Sequence, residues 1–173
     1  NPEKNKKVLL VEVKGPESAY GKLMAAMTAG KKKPIELMKE LLEKAGFEVE
    51  IYESPIDKLM KLPPQEMMGA IMNVYAQKRP IAELTNNYDL IINIADVAPT
   101  TDQRIQWAPL KGTPDIPFYV NEVPTIFISL QCPFHLADVP QVKTYINAYD
   151  SHDHTVTAIV DKLLGRSEFK GVS

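Results

Sequence analysis

Lys7-Val-Leu-Leu-Val-Glu-Val13 is a run rich in Val and Leu, and it ends at Gly15-Pro16. A strand with one wet face alternates apolar and polar residues, whereas this run is almost continuously apolar. Continuous runs are typical of strands in parallel sheets that are covered on both faces. The run therefore predicts a first strand that is buried on both faces.

Downstream of this first strand, the sequence predicts an alternation of helices and strands. A helix is predicted from Pro34, a residue suited to a first turn, to a stop at Gly46, and the period-two segment after it suits an edge strand. The remaining predictions are helices at 65–78 and 153–164 and strands at 47–53, 88–95, 125–130 and 144–149. Alternating strands and helices predict a three-layer α/β/α sandwich with a mostly parallel sheet, and we expect residues 1–173 to form one domain.

Composition excludes several classes of function. The 173 residues carry 20 Lys and Arg against 22 Asp and Glu, so the formal charge of -2 predicts no nucleic-acid partner. No apolar run reaches the roughly 18 residues of a membrane span, so we expect a soluble chain with no membrane partner. The abrupt ends of the chain suggest an excised piece of a larger protein. Cys132 is the single cysteine and cannot form an internal disulfide.

The long segment 96–124 has no clear period and is predicted to be a functional loop, a covering segment, or a stretch that hides an edge strand at 104–107. Its beginning places Asp96, Asp102, Arg104 and Trp107 next to a strand end. Carboxylates bind sugar hydroxyls or transfer protons, and a Trp face stacks on a pyranose ring. These four residues are candidates for substrate binding. The alternative is a packed Trp107 beside solvated or paired charges.

Other chemical motifs are weak. The turn after the first strand lacks the glycine pattern of a nucleotide loop, so no cofactor is predicted. His152 and His154 have no third ligand at a suitable spacing, so no metal is predicted, and Ser151 or Asp153 is expected to cap the last helix. Cys132 and His135 are expected to be a buried thiol and a loop histidine rather than a nucleophilic pair.

The carboxyl half carries a more specific pattern. It contains Val123-Pro-Thr-Ile-Phe-Ile-Ser-Leu130, then Gln131-Cys-Pro-Phe-His-Leu136, Tyr145-Ile-Asn-Ala-Tyr149, Leu163-Leu-Gly165 and Phe169-Lys-Gly171. This succession of strand, proline turn, "aY" strand end and helix closing on "L-x-G" resembles the carboxyl-terminal domain of family 3 glycoside hydrolases, in particular the β-N-acetylhexosaminidases.

The resemblance implies an accessory lobe that packs on an amino-terminal (β/α) barrel. In that family the barrel carries the nucleophilic Asp, and a barrel of roughly 250 residues cannot fit in this chain. The implied parent is a bacterial-type enzyme that removes terminal N-acetylglucosamine or a related β-linked sugar with retention, without metal or cofactor. No catalytic residue is then expected here, and the fragment alone should be inactive.

Two alternatives of other classes stay open. One is a free-standing module of flavodoxin-like layout that binds a small ligand, and the other is a small hydrolase that uses Cys132 or the histidines.

Overall fold

The computed structural model describes residues 6–15, 23, 26–27, 30–53, 61–76, 81–97, 105 and 119–171. Within these residues, strands and helices alternate for most of the chain. Their order is β1 (Lys7–Val13), α1 (Pro34–Lys44), β2 (Glu48–Ile51), α2 (Pro64–Ala76), α3 (Ile81–Asn87), β3 (Leu90–Ala95), β4 (Thr125–Ser129), a 3-10 helix η1 (Pro133–Asp138), β5 (Thr144–Asn147) and α4 (Asp153–Leu163). The predicted α/β class is confirmed.

The five described strands form one parallel sheet in the order β2-β1-β3-β4-β5. Val8 pairs with Val49 on one side and with Leu90 on the other, and Ser129 at the end of β4 pairs with Asn147 of β5. The short, alternating β2 lies at one edge, as its pattern predicts. The central strands β1, β3 and β4 are the most continuously apolar.

Helices α1 and α4 cover one face of the sheet. Met38 of α1 and Val156 of α4 are fully buried against it. The apolar core on this face consists of buried side chains from both helices and from every strand except β5: Val8, Leu10, Ile35, Met38, Leu42, Phe47, Val49, Ile92, Ile94, Ile128, Leu130, Val156, Ile159 and Val160. Burial of this surface is the main stabilising contribution on that side.

Helix α3, the turn at 119–123 and the segment around η1 cover the opposite face. Its core contains Leu9, Val11, Val13, Leu84, Ile91, Ala95, Tyr119, Val120, Val123, Phe127, Val139 and Val142. Since alternate residues of β1 point into the two cores, both faces of that strand must be apolar. The predicted burial of β1 on both faces is confirmed.

Both long helices that cover the first face end in the same way. Gly46 after α1 and Gly165 after α4 have φ of 97° and 71°, the left-handed region in which glycine is favoured. After α1, Gly46 N donates to the Glu43 carbonyl at 3.0 Å and Phe47 N to the Leu42 carbonyl at 3.2 Å. This is a Schellman motif, and it satisfies carbonyl groups that the helix leaves open. The predicted glycine stops are confirmed.

The structure differs from the predictions mainly at element ends and in two short helices. Strand β3 begins at Leu90 rather than at 88, and β5 ends at Asn147 rather than at 149. Helices α3 and η1 were not predicted, because neither is long enough to show a helical period. Each of the two helices contributes one fully buried side chain, Leu84 from α3 and His135 from η1. Of the possible edge strand at 104–107, the structure describes Ile105 alone.

Candidate functional site

The candidate site is the carboxyl edge of the sheet, where the segments after β1, β3, β4 and β5 meet. In open parallel sheets ligands bind outside this edge, at the point where the strand order reverses. Here β1 and β3 are neighbours in the sheet, and the chain leaves them toward opposite sides. The residues that follow these strands are therefore the first place to look for chemistry.

Val97, which follows β3, packs directly against the backbone of Gly15, which follows β1. A Cβ atom placed on Gly15 would lie only 2.6 Å from Cγ1 of Val97. Contacts below about 3 Å are not tolerated between carbon atoms, so the Val97 side chain occupies the space above the Gly15 backbone. A ligand could therefore not lie against the Gly15 backbone on that side. The rest of the turn after β1 lies outside the described residues, so the alternative of a flavodoxin-like binding module stays a prediction.

Asp96 is the predicted site residue that the structure describes, and it lies at this edge. Its Oδ1 accepts a hydrogen bond of 2.5 Å from Nε2 of Gln131, which follows β4. The two exposed side chains bridge the ends of neighbouring strands. Gln131 is not among the residues predicted from the sequence, although a polar residue directly after an apolar strand is a usable signal. Asp102, Arg104 and Trp107 lie outside the described residues, so their role stays a prediction.

Ser129 and His135 form a buried pair below the edge. The Ser129 hydroxyl donates to the Cys132 carbonyl at 2.5 Å, and His135 Nδ1 lies 2.8 Å from Ser129 Oγ. Because the hydroxyl has one hydrogen and gives it to the carbonyl, Nδ1 must be the donor to Oγ. In a nucleophilic dyad the imidazole would accept from the hydroxyl instead. The pair therefore holds the β4–η1 turn in place and does not activate a nucleophile.

The thiol and the histidine that resembled a nucleophilic pair are both fully buried. The predicted burial of Cys132 is confirmed. The prediction of a loop histidine is wrong, because His135 belongs to η1 and its ring points into the core next to Phe127. The Ser129 contact supplies the polar partner that this buried ring needs. A substrate cannot reach either group without displacing the core.

A second buried polar pair joins β3 to the turn at 119–123. The Tyr119 hydroxyl donates to Asn93 Oδ1 at 2.8 Å, and both side chains are buried. Burial disfavours the phenolate, so the pKa of Tyr119 lies far above its ordinary value. Tyr119 therefore remains a neutral donor over the whole physiological range. Asn93 was not predicted as a functional residue, although it is the one polar residue inside β3.

Asp150, after β5, organises the start of helix α4. Its Oδ1 accepts from the backbone N of His152 at 2.7 Å, from Thr155 Oγ1 at 2.8 Å and from His152 Nδ1 at 3.0 Å. These hydrogen bonds, the backbone one first, lower the pKa of Asp150 to about 2. The prediction that Ser151 or Asp153 caps the helix is wrong. His152 occupies the cap position without a side-chain cap bond, and Asp150 performs the function from two residues earlier.

His152 and His154 stand side by side, with ring centroids 5.5 Å apart. His154 Nε2 lies 3.8 Å from Asp150 Oδ2. Within the part of the chain that the structure describes, no three His, Cys, Asp or Glu side chains are grouped closely enough to hold a metal ion.

Among the described residues, no helix combines the length and the hydropathy that a bilayer-spanning segment requires.

The chain is similar to one part of much larger glycosidases. A β-N-acetylglucosaminidase/β-glucosidase of Cellulomonas fimi is 37% identical over 97 residues, which are 54% of this chain and 17% of that protein. The solved structure of β-glucoside phosphorylase BglX is 33% identical, with a TM-score of 0.66, and the match covers 98% of this chain and 26% of that one. No protein-family model matches the chain.

A further solved structure supports the fold. The glycoside hydrolase family 3 β-N-acetylglucosaminidase from Paenibacillus sp. str. FPU-7 is 19% identical with a TM-score of 0.57, and the match covers 99% of this chain and 27% of that enzyme. The chain thus spans about a quarter or less of the length of these relatives. The resemblance to family 3 glycoside hydrolases, drawn above from sequence motifs, is confirmed.

Proposed function

We propose that this chain, whose homologues are glycosidases of family 3, is the accessory carboxyl-terminal α/β lobe of a larger enzyme that cleaves terminal β-linked N-acetylglucosamine or glucose. One observation carries the proposal. A relative at 33% identity aligns with nearly all of this chain, yet three quarters of that relative lie outside the alignment. A lobe of this kind adds structure to an enzyme whose reacting groups are elsewhere.

The chemistry of the described edge agrees with an accessory role. Retaining glycoside cleavage needs two carboxyl groups about 5 Å apart, one as nucleophile and one as acid/base. Asp150, with its pKa lowered to about 2, is ionised at neutral pH and cannot donate a proton. Asp96 is held by Gln131. The lowered pKa excludes Asp150 as the acid, and the resemblance to family 3 implies that the nucleophile belongs to the (β/α) barrel of the parent, on which this lobe would also pack.

The test compares the parent enzyme with the 173-residue chain on a chromogenic β-N-acetylglucosaminide and a chromogenic β-glucoside. The parent should release the chromophore, and the chain alone should not. Turnover by the purified 173-residue chain would contradict the proposal. So would a parent that is inactive on both substrates while folded.

In the parent's reaction the glycosyl group is transferred either to water or to phosphate. Hydrolysis is the first candidate, and one comparison supports transfer to phosphate as the second. A solved relative carries the name β-glucoside phosphorylase. With phosphate as acceptor, the parent would release a glycosyl 1-phosphate in place of the free sugar. Product analysis with and without inorganic phosphate distinguishes the two reactions. A rate that does not depend on phosphate, with free sugar as product, supports hydrolysis.

Within this lobe, the segment from Asp96 through Asp102 and Arg104 to Trp107 is the part proposed to reach the substrate cleft. Loss of one aromatic stacking contact changes binding by about 0.5–1.5 kcal/mol, or about 2- to 10-fold. We therefore expect Trp107→Ala in the parent to raise KM by that factor with a smaller effect on kcat. An unchanged KM for both Trp107→Ala and Arg104→Ala would remove this segment from the cleft.

A further inference from the structure

A small apolar pocket lies at the amino edge of the sheet, on the face that α1 and α4 cover. Its volume is about 120 Å³. Val8, Leu90 and Ile126, near the beginnings of β1, β3 and β4, line it on the sheet side, and Leu42 and Leu163 line it from the two helices. The candidate site described above is at the carboxyl edge, so this pocket is separate from it.

Both helix ends beside the pocket are fixed by main-chain hydrogen bonds. The Schellman motif after α1 has a counterpart after α4, where Gly165 N donates to the Lys162 carbonyl at 3.0 Å and Arg166 N donates to the Asp161 carbonyl at 2.8 Å. Neither helix can rearrange its last turn to fill the pocket without breaking these bonds. The walls of the pocket are therefore held at a set spacing.

The two helix ends differ in the residue that follows the glycine. After α1 this residue is Phe47, whose buried side chain lines the pocket. After α4 the equivalent residue is Arg166, an exposed residue whose Nη1 lies 3.1 Å from Oδ1 of Asp161. One end thus contributes an aromatic ring to the pocket, and the other contributes an ion pair at the surface. This difference in apolar volume accounts for the open space.

The pocket is large for an unfilled space in a packed core. Protein interiors contain few voids larger than a water molecule, and the free-energy cost of a void increases with its volume. Val8, Leu42 and Ile92 at the inner end of the pocket are at most 4% exposed, whereas Leu90 and Leu164 are only partly buried. A packed inner end and a partly exposed rim are features of a binding pocket that a ligand can enter.

The lining and the size of the pocket define the chemistry of its ligand. The described residues that line it are all apolar, whereas a buried water needs about two to four polar partners. A cavity of about 150 Å³ lined by Leu, Ile and Phe stays dry and binds benzene or xenon. A pocket of about 120 Å³ is therefore suited to one apolar group of a similar size, and it is too small for a segment of polypeptide.

We propose that this pocket binds a small apolar molecule, of the size of one aromatic ring or one branched hydrocarbon. Such a ligand gains van der Waals contacts with side chains that otherwise face an empty space. The inference goes beyond the proposed function, because the pocket is lined by residues of this lobe and none of them belongs to the candidate site.

Methyl NMR of the 173-residue chain, with benzene as the probe, tests the proposal. Ile92 and Ile126 line the pocket, whereas Ile91, the neighbour of Ile92 in β3, belongs to the core on the opposite face. Benzene should shift the methyl resonances of Ile92 and Ile126 saturably and leave those of Ile91 unchanged. Shifts that increase linearly with benzene, or that are equal at Ile91, would indicate non-specific contact and would overturn the proposal.

Leu90→Trp should weaken the binding of benzene at least about tenfold, because the larger side chain at the rim takes up the space of the ring. Leu136→Trp is the matched control, since Leu136 is 49% exposed and is not among the residues that line the pocket. This control should bind benzene as the natural chain does. A folded Leu90→Trp variant that binds benzene with unchanged affinity would contradict the assignment. If that variant does not fold, the titration of the natural chain decides.

The same titration of the parent enzyme distinguishes a small ligand from a side chain of the parent itself. Saturable shifts at Ile92 and Ile126 in both proteins support the proposal. If the shifts occur in the 173-residue chain and are lost in the parent, a side chain of the parent fills the pocket and the proposal is wrong. The titration measures no turnover, so its result is independent of whether the parent cleaves β-linked sugars.

Discussion

Two buried polar residues inside the strands fix the positions of the segments that cover the second face of the sheet. Asn93 in β3 and Ser129 in β4 both point to the second face of the sheet, and each is bound by a group from a covering segment. A buried polar group without a partner costs free energy, so each pair selects one position for the segment that supplies the partner. These bonds place the turn at 119–123 and the helix η1 on the sheet.

Tyr119→Phe should destabilise the protein by about 1–3 kcal/mol, because the variant leaves Asn93 Oδ1 buried without its donor. Urea unfolding at neutral pH measures the change. Tyr88→Phe is the matched control, since the Tyr88 hydroxyl donates to Glu50 Oε2 at 2.7 Å near the exposed edge strand. Water can replace that bond, so a loss below about 1 kcal/mol is expected. Equal losses in the two variants would contradict the argument.

At the scale of elements, the residues that follow β1 and β3 are in direct contact through one side chain, that of Val97. Gly15→Ala would place a Cβ 2.6 Å from Val97 Cγ1, and a branched valine next to the backbone cannot easily move away. We expect a loss of about 1–3 kcal/mol from this overpacking. Chemical denaturation is the measurement.

Gly69→Ala supplies the matched control for that substitution. Gly69 lies inside α2, and an added Cβ there meets nothing within 4 Å. The variant should gain about 0.5–1 kcal/mol from helix propensity. Changes of the same sign in both variants would show that the Val97 contact does not decide the outcome at Gly15.

The stability of the protein should depend on pH through Asp150, which binds the start of α4. The pKa of this carboxyl is lowered from its ordinary 3.8 to about 2, so its stabilising effect is present above about pH 4 and is lost as the pH falls toward 2. Asp150→Asn should lower the Tm at pH 7, and the difference from the natural protein should shrink as the pH approaches 2. Thermal unfolding followed by circular dichroism at several pH values measures this.

Asp161→Asn is the control for the charge change, because Asp161 pairs with Arg166 at the other end of α4. If Asp150→Asn lowers the Tm by the same amount at pH 7 and at pH 2, the stabilising role assigned to the ionised Asp150 carboxylate is contradicted. The effect would then arise from shape and not from the ionised carboxylate.

At the scale of the whole molecule, the strand order β2-β1-β3-β4-β5 is that of nucleotide-binding α/β proteins, and the Val97 side chain lies directly against the Gly15 backbone where that order reverses. We expect FMN or ATP at millimolar concentration to leave the Tm of the 173-residue chain unchanged. A binder present at 100 times its Kd would stabilise by about 2.7 kcal/mol and raise the Tm by several degrees. A shift of that size, measured by scanning fluorimetry, would revive the free-standing binding module.

Much of the architecture could be predicted before any coordinates were known. Continuous apolar runs identified β1, β3 and β4, and the alternating pattern placed β2 at an edge. Glycine stops identified the ends of α1 and α4. These signals are local, because the period of the apolar residues and the turn chemistry lie within one segment. Motifs in the carboxyl half were specific enough to indicate the family.

The candidate site was harder to predict, because its contacts join residues far apart in the chain. Asp96 could be placed at a strand end, but its partner Gln131 follows a different strand, and Tyr119 reaches Asn93 across 26 positions. The residue that binds the start of α4 is Asp150 and not Ser151 or Asp153, because the backbone position of Asp150 directs its carboxylate toward the first turn. Spacing along the chain reports periodicity, whereas hydrogen bonds depend on distances in space, and packing of the two faces on the sheet sets those distances.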